Sequence, residues 1–303
     1  MKTEPIPSFL NPPAGTVDAV LDTDTYNEID DQFAVTYALL SPERIRLRAL
    51  YAAPFHNHRS EGPGDGMEKS YEEIQRLLGL MNLPAAPPVY RGSEAWLPDR
   101  ETPVDSPTAE DLIARAREDR EGPLYVIAIG ALTNVAAALL KAPDIKERIV
   151  VLWLGGQPTF WETAHEFNLQ GDWNASRFLF DCGVPLIYFP CNLVSEALRT
   201  TLPEVEAGLR HGGTLADYLV RIFRDFPDWD LTVPGSSKVI WDLAPVAWLV
   251  NARWTRVLPV PSPVLSTEFR WSHDPARPFI GEARYLERDG LFKDLFHKLG
   301  SKE

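Results

Sequence analysis

Short apolar runs that alternate with helical patterns constrain this chain more than any other feature of its sequence. The runs "VDAVLD" (17–22), "RLRALYAA" (46–53), "PPVYRG" (87–92), "LYVIAIG" (124–130), "IVVLWLGG" (149–156) and "PLIYFP" (185–190) read as strands. Helical patterns lie among them at 30–40, 68–80, 108–119, 132–141 and 173–182. Strands that are apolar on both faces must be covered on both faces. The expected fold class is therefore α/β, a mostly parallel central sheet with helices on both sides. A chain of 303 residues, 45% of them hydrophobic, can build this as a single large domain over 1–303, with its core at about 17–251. After residue 200 the pattern loosens. Helical segments at 214–226 and 239–251 precede the Pro-rich "VLPVPSPVLS" and a charged helix, "RDGLFKDLFHKLG", so 252–303 reads as a C-terminal helical extension. In sheets of this kind ligands sit beyond the carboxyl ends of the strands, where "DTD", "AAPFHN", "IGALTN" and "LGG" all fall. These should converge on one cleft, with the Gly- and charge-rich loop 58–69 as a candidate lid beside it.

Charge narrows the partner. The formal net charge is −13, whereas a nucleic-acid backbone needs clustered Lys and Arg, so a small molecule is expected and no nucleic acid. Two cysteines, Cys182 and Cys191, form neither a CxxC pattern nor a disulfide framework. No stretch approaches about 18 uninterrupted apolar residues and the first residues carry no apolar signal segment, which leads us to expect no membrane association and a cytoplasmic location.

The strongest chemical signal is "LDTDTYNEIDD" (21–31), where Asp22, Asp24, Glu28, Asp30 and Asp31 crowd together. A solvated turn leading into a helix would place Asp30 and Asp31 favourably at the helix dipole, but leaves Asp22 and Asp24 repelling one another at the end of a buried strand. An EF-hand loop starting at Asp22 would need Asp or Asn at its fifth position, Gly at its sixth and Glu at its twelfth; Tyr26, Asn27 and Phe33 stand there. The D-x-D of haloacid dehalogenase-type phosphatases also follows a first strand. It favours Thr or Val where this chain has Tyr26, and it leaves Asp30 and Asp31 without a role. A hard divalent cation accounts for the whole loop, because calcium takes six to eight oxygen ligands and cancels the repulsion among them.

The loop resembles the N-terminal signature of the inosine-uridine-preferring nucleoside hydrolase family, D-T-D-x-x-N-D/E-x-D-D, through Asp22, Asp24, Asn27, Glu28, Asp30 and Asp31. Three further stretches are similar to family motifs in the same order: "IGALTNVAAAL" (129–139), "HEFNLQGDWNAS" (165–176) and "IWDLAPVAWLVN" (240–251). The resemblance implies a Rossmann-like nucleoside hydrolase fold and a calcium-dependent enzyme that cleaves the N-glycosidic bond of a ribonucleoside to ribose and free base. It implies calcium ligands at Asp24, Asp31, Asp242 and the backbone carbonyl of Thr133. Asp24 would also be the general base toward the attacking water, Asp30 would bind the ribose 2′-hydroxyl, and Asp22 would support the site from behind. Asn57, Glu166 and Asn168 would bind sugar hydroxyls. Assembly as a homodimer or homotetramer is implied in the same way.

Simpler roles compete at several of these positions. Thr133 and Asn134 could cap the helix at 132–141, Asn168 could be a turn residue, and Asp242 could cap the helix that follows it. The chain also departs from the family twice. Trp241 stands where many members place a His that protonates the leaving base, so Trp241, Trp161 or Phe160 is the candidate for activating the base by stacking. Phe160 stands where an Asn holds the ribose 5′-hydroxyl. His56, His58 and His165 are alternative acids. The competing class is a nucleoside-binding protein that keeps the calcium site without efficient catalysis.

Overall fold

The computed structural model describes residues 7–300, so both extremes of the expected 1–303 domain lie outside the described residues. Eight strands form the central sheet: β1 (Val17–Thr23), β2 (Ile45–Ala52), β3 (Val89–Arg91), β4 (Leu124–Ala128), β5 (Ile149–Leu154), β6 (Leu186–Phe189), β7 (Thr255–Pro261) and β8 (Phe279–Leu286). Their spatial order is β3-β2-β1-β4-β5-β6-β8-β7. Every pairing is parallel except that of β8 with the edge strand β7. The helices are α1 (Asp30–Leu39), α2 (Pro63–Met81), α3 (Pro107–Arg117), α4 (Thr133–Lys141), α5 (Phe167–Gly171), α6 (Trp173–Cys182), α7 (Leu202–Gly208), α8 (Gly213–Arg224), α9 (Leu243–Asn251) and α10 (Arg288–Gly300).

Alternation along each strand feeds two cores. Ala19, Leu21, Ile127, Leu152 and Ile187 face a layer built from α1, α2, α7, α8, α9 and α10. Val20, Val126, Val151, Trp153 and Tyr188 face the opposite layer of α3, α4 and α6. Because both faces are buried, these strands are near-continuous apolar runs.

The strand order turns back on itself between β1 and β4: the chain builds outward from β1 through β2 to β3, then returns to β4 on the other side. Connections on the two sides of such a point leave in opposite directions and open a crevice at the carboxyl ends of the strands. The acidic loop leaves β1 at this crevice, and "IGALTN" leaves β4 beside it.

Two expectations are corrected. Within the expected extension at 252–303, the described residues 252–300 are not all helical; they supply β7 and β8 to the sheet before α10. Their pattern is masked because β7 carries Pro259 and Pro261, tolerated on an edge strand that lacks a second neighbour. In β8 the wholly buried Glu282 interrupts the apolar run, compensated by Arg284 at 2.8 Å and by the Thr159 hydroxyl at 2.6 Å. The stretch 58–69 is only partly loop, since α2 already begins at Pro63, a favourable first helical position.

Candidate active site

Asp22 and Thr23 close β1, and the chain then turns, with the Asn27 amide donating to the Asp24 carbonyl at 2.7 Å before α1 starts at Asp30. Asp24 is directed toward Gly130, just beyond β4. A Cβ at position 130 would stand 2.8 Å from Asp24 Oδ1 and 3.2 Å from Ala53 Cβ, so the missing side chain is what admits the carboxylate. Asn134 fastens the floor. Its Nδ2 donates to Asp22 Oδ1 at 2.8 Å and to the Ala52 carbonyl at 3.2 Å, while its Oδ1 accepts from the Ser93 amide at 2.8 Å. Thr133 donates its hydroxyl to Asp172 at 2.8 Å. Neither Thr133 nor Asn134 therefore caps α4, whose N-terminus has no side-chain cap. Asp242, 211 positions after Asp31 in the chain, precedes α9 and makes no capping bond either.

Together these elements bring Asp24, Asp30, Asp31 and Asp242 to one place, none of them more than 4% exposed. Oxygens of Asp30, Asp31 and Asp242 lie within 4.8 Å of one another, a cluster able to hold a metal ion. Their hydrogen bonds differ. Asp30 Oδ2 accepts from the Trp241 amide at 3.1 Å and its Oδ1 lies 3.6 Å from the Lys238 ammonium. Asp31 accepts from the Thr23 hydroxyl. Both oxygens of Asp24 are buried and have no donor at all, and Asp22 Oδ2 is in the same condition. An unpartnered buried carboxylate costs far more than a satisfied one, so such an orphan set among carboxylates fits a cation supplied from outside the chain. Oxygen-only donors suit a hard divalent ion.

The electrostatics agree. Burial, then the neighbouring charges of Asp31 and Asp30, push Asp24 well above the usual carboxylate range. Asp242 is displaced the same way by burial and by Asp31, Asp30 and Asp24. Burial and Asp30 push Asp31 up to about 8, and burial raises Asp22 to about 7 against the opposing Asn134 bond.

The carboxylates floor a cleft of about 650 Å³ including its open mouth, within the size range of small-molecule sites. Glu166, Asn168 and Trp241 line it as expected. Glu166 accepts from the Gly156, Asn168 and Leu169 amides at 2.6, 3.0 and 3.0 Å, which fixes its carboxylate at the start of α5. Asn168 is no turn residue: its Nδ2 is bound by the Ile129 and Leu154 carbonyls, both at 3.2 Å, at the ends of β4 and β5.

Other expected residues stand elsewhere. Asn57 lies behind the wall, donating to Asn27 Oδ1 at 2.7 Å, and Asn27 is the residue that lines the cleft. Phe160 is 56% exposed beneath the Arg284 guanidinium, and neither it nor Trp161 joins the lining. His56, His58 and His165 are exposed and off the lining as well. Thr133 is fully buried behind it. Sequence reasoning overlooked Gln157, Phe167, Cys191 and Asn192. Three of these follow β5 and β6 directly, so the rule that ligands gather at strand ends was the signal that could have found them.

Residues 19–271 match the model of the inosine-uridine preferring nucleoside hydrolase family. The chain is 28% identical over 264 residues to the pyrimidine-specific ribonucleoside hydrolase RihA of Klebsiella pneumoniae (strain 342), covering 75% of this chain and 80% of that protein. Among solved structures it is similar to a purine-preferring ribonucleoside hydrolase from Gardnerella vaginalis, with a TM-score of 0.70 at 21% identity over 93% of this chain and 98% of that one. It is also similar to an inosine-uridine preferring nucleoside hydrolase from Bacillus anthracis, with a TM-score of 0.70 at 14% identity over 94% and 99% of the two chains. The chain belongs to the inosine-uridine preferring nucleoside hydrolase family. The phosphatase and EF-hand alternatives fall with that assignment. Among the described residues no helix is long and apolar enough to cross a membrane.

Two predictions follow from this geometry. Asp22 and Asp31 bind protons more tightly folded than unfolded, so each contributes stability that is lost as pH rises toward about 7 and 8 respectively. Chelator-treated protein should show a melting temperature that falls between pH 5 and pH 8, and a saturating divalent cation should remove that fall; a melting temperature that rises over this range would contradict the assignment. Gly130→Ala should fold but weaken divalent-cation binding by about tenfold or more, the scale of strain that overpacking imposes. Calorimetry on the circular-dichroism-checked variant would measure it.

Proposed function

We propose that this nucleoside hydrolase cleaves the N-glycosidic bond of a ribonucleoside to ribose and free base with one calcium ion, held by Asp24, Asp31, Asp242 and the Thr133 carbonyl. The observation that carries the reading is the pair of buried, unpartnered Asp24 oxygens, which feel the charge of Asp31 next to the cluster of Asp30, Asp31 and Asp242. Calcium, when bound, would bring the sugar diol and a water together and lower the water's pKa. The remaining work falls to the chain. Asp24, whose oxygens no other residue occupies, takes the proton of the attacking water. Asp30, oriented by the Trp241 amide, accepts from the ribose 2′-hydroxyl. Glu166 and Asn168, each fixed by backbone partners, and Asn27 in place of Asn57, bind the remaining hydroxyls. Negative charge around C1′ stabilises the positive charge that develops as the C–N bond breaks.

Trp241 and Phe167 are the aromatic lining of the cleft, so stacking on the departing base falls to Trp241 rather than to Phe160 or Trp161. The relatives and neighbours include both pyrimidine-specific and purine-preferring enzymes by name, so both base classes belong in the test. We place the enzyme in nucleoside salvage, without a membrane or nucleic-acid partner.

Purified protein with calcium should release ribose from at least one of uridine, cytidine, inosine and adenosine, and Asp24→Asn should lower kcat by about 10²–10⁴, the usual share of a general base. If calcium and nucleoside bind by calorimetry but no base is released, the protein is a nucleoside-binding protein. For Trp241, the Ala variant should lose about tenfold in kcat, about 1.4 kcal/mol, while Phe stays within threefold. Losses under threefold in both would remove Trp241 from the chemistry.

A further inference from the structure

Beside the acidic cluster lies a cation with no place in the mechanism above. Lys238 is 1% exposed, and it is the one Lys or Arg among the buried charged residues described. It sits on a two-residue ribbon, Lys238–Val239, paired antiparallel with Arg199–Thr200, which leads directly into Trp241 and Asp242. An ammonium has three donors. One goes to Glu28 in a close ion pair, one to the Val239 carbonyl at 3.2 Å, and Asp30 Oδ1 stands 3.6 Å away. The Phe226 ring, 5.3 Å from the ammonium, closes the remaining side and holds it in place.

This arrangement divides the carboxylates into two sets. Asp30 is near enough to Asp31 and Asp242 to share a metal with them, and a divalent ion would attract it. The Trp241 amide donates to its Oδ2 instead, and the Lys238 ammonium faces its Oδ1 across 3.6 Å. Glu28 is engaged by the same ammonium. Asp24, on the other side, meets no cation and no donor. We propose that Lys238 is a positioning residue that sorts the clustered carboxylates, keeping Glu28 and Asp30 out of the metal's coordination and on the sugar side while leaving Asp24, Asp31 and Asp242 to the ion. The inference rests on the calcium reading above. It also explains why a site that must attract a divalent cation keeps a buried lysine within 3.6 Å of one of its carboxylates: without it the ion would draw in Asp30, and the 2′-hydroxyl would lose its acceptor.

The test compares Lys238→Met with Glu28→Gln, using calcium alone in calorimetry on chelator-treated protein and uridine and inosine for kinetics. Removing the lysine uncovers two carboxylates, so Lys238→Met should bind calcium about tenfold more tightly while KM for the nucleoside rises about tenfold or more. Removing the glutamate charge leaves the lysine less compensated, so Glu28→Gln should bind calcium more weakly. Lys238→Arg, which keeps the charge, should restore calcium affinity to within threefold of wild type. A merely structural role would weaken binding in both variants; shifts of the same sign, or under twofold in both, overturn the proposal. If Lys238→Met does not fold, Lys238→Gln, which keeps a donor toward Glu28 and Asp30 without the charge, takes its place: tighter calcium binding with a raised KM supports the sorting role, and unchanged or weaker binding overturns it. Wild type that binds no calcium sinks the calcium reading and this inference together, whereas wild type that binds while the variants shift nothing sinks only this one.

Discussion

The mutual repulsion of buried carboxylates at the end of β1 is the constraint on which the rest of this structure depends. Asp24, Asp30, Asp31 and Asp242 are almost wholly removed from water, and among them Asp30 alone has a cation of the described residues within 4 Å, the Lys238 ammonium at 3.6 Å. In a low-dielectric interior such a set can persist by holding protons or by holding a cation. The upward displacement of Asp24, Asp31 and Asp242 is the signature of the first state, and the donorless oxygens of Asp24 prepare the second. The same repulsion that is a liability to the protein alone makes the cluster one that can hold a metal ion.

The fold holds this crowded group in place through hydrogen bonds from neutral donors. The switch between β1 and β4 brings Asp24 against Gly130. Asn134 ties Asp22 to β2 and to the segment after β3, and Asp172 joins Thr133 to the Leu97 amide at 2.9 Å and caps α6 through Ala175 at 3.0 Å. Glu166 likewise locks the turn after β5 to the start of α5. The bonds of Asn134, and those of Asp172 to Thr133 and Leu97, join segments remote in the chain and so tie the floor of the cleft together. Trp241, Phe167 and Asn192 line the cleft above this floor.

Much of this was legible in the sequence for physical reasons. β4, β5 and β6 are buried and apolar throughout and β1 and β2 over most of their length, so these strands and the helices between them could be placed within a few residues. Residues β7 and β8 use could not, because an edge strand with prolines and a strand with a buried, compensated Glu282 both break the apolar pattern. The acidic loop was legible because charge in a buried position demands an explanation. Asn57, Phe160 and Trp161 were placed by their positions relative to the family's motifs, and position in the chain does not say which way a side chain faces. Lys238 was invisible: it lies 210 residues from Glu28 in the chain, and nothing local to "SSKVIWD" shows that its ammonium is buried against the first loop.

The most direct test of the account is a crystal structure grown with calcium and ribose. The account predicts one ion with oxygens of Asp24, Asp31 and Asp242 at about 2.3–2.6 Å, with Asp30 on the sugar 2′-hydroxyl and Glu28 still paired with Lys238. An ion bound instead by Asp30 or Glu28, or a sugar seated away from these carboxylates, would contradict it.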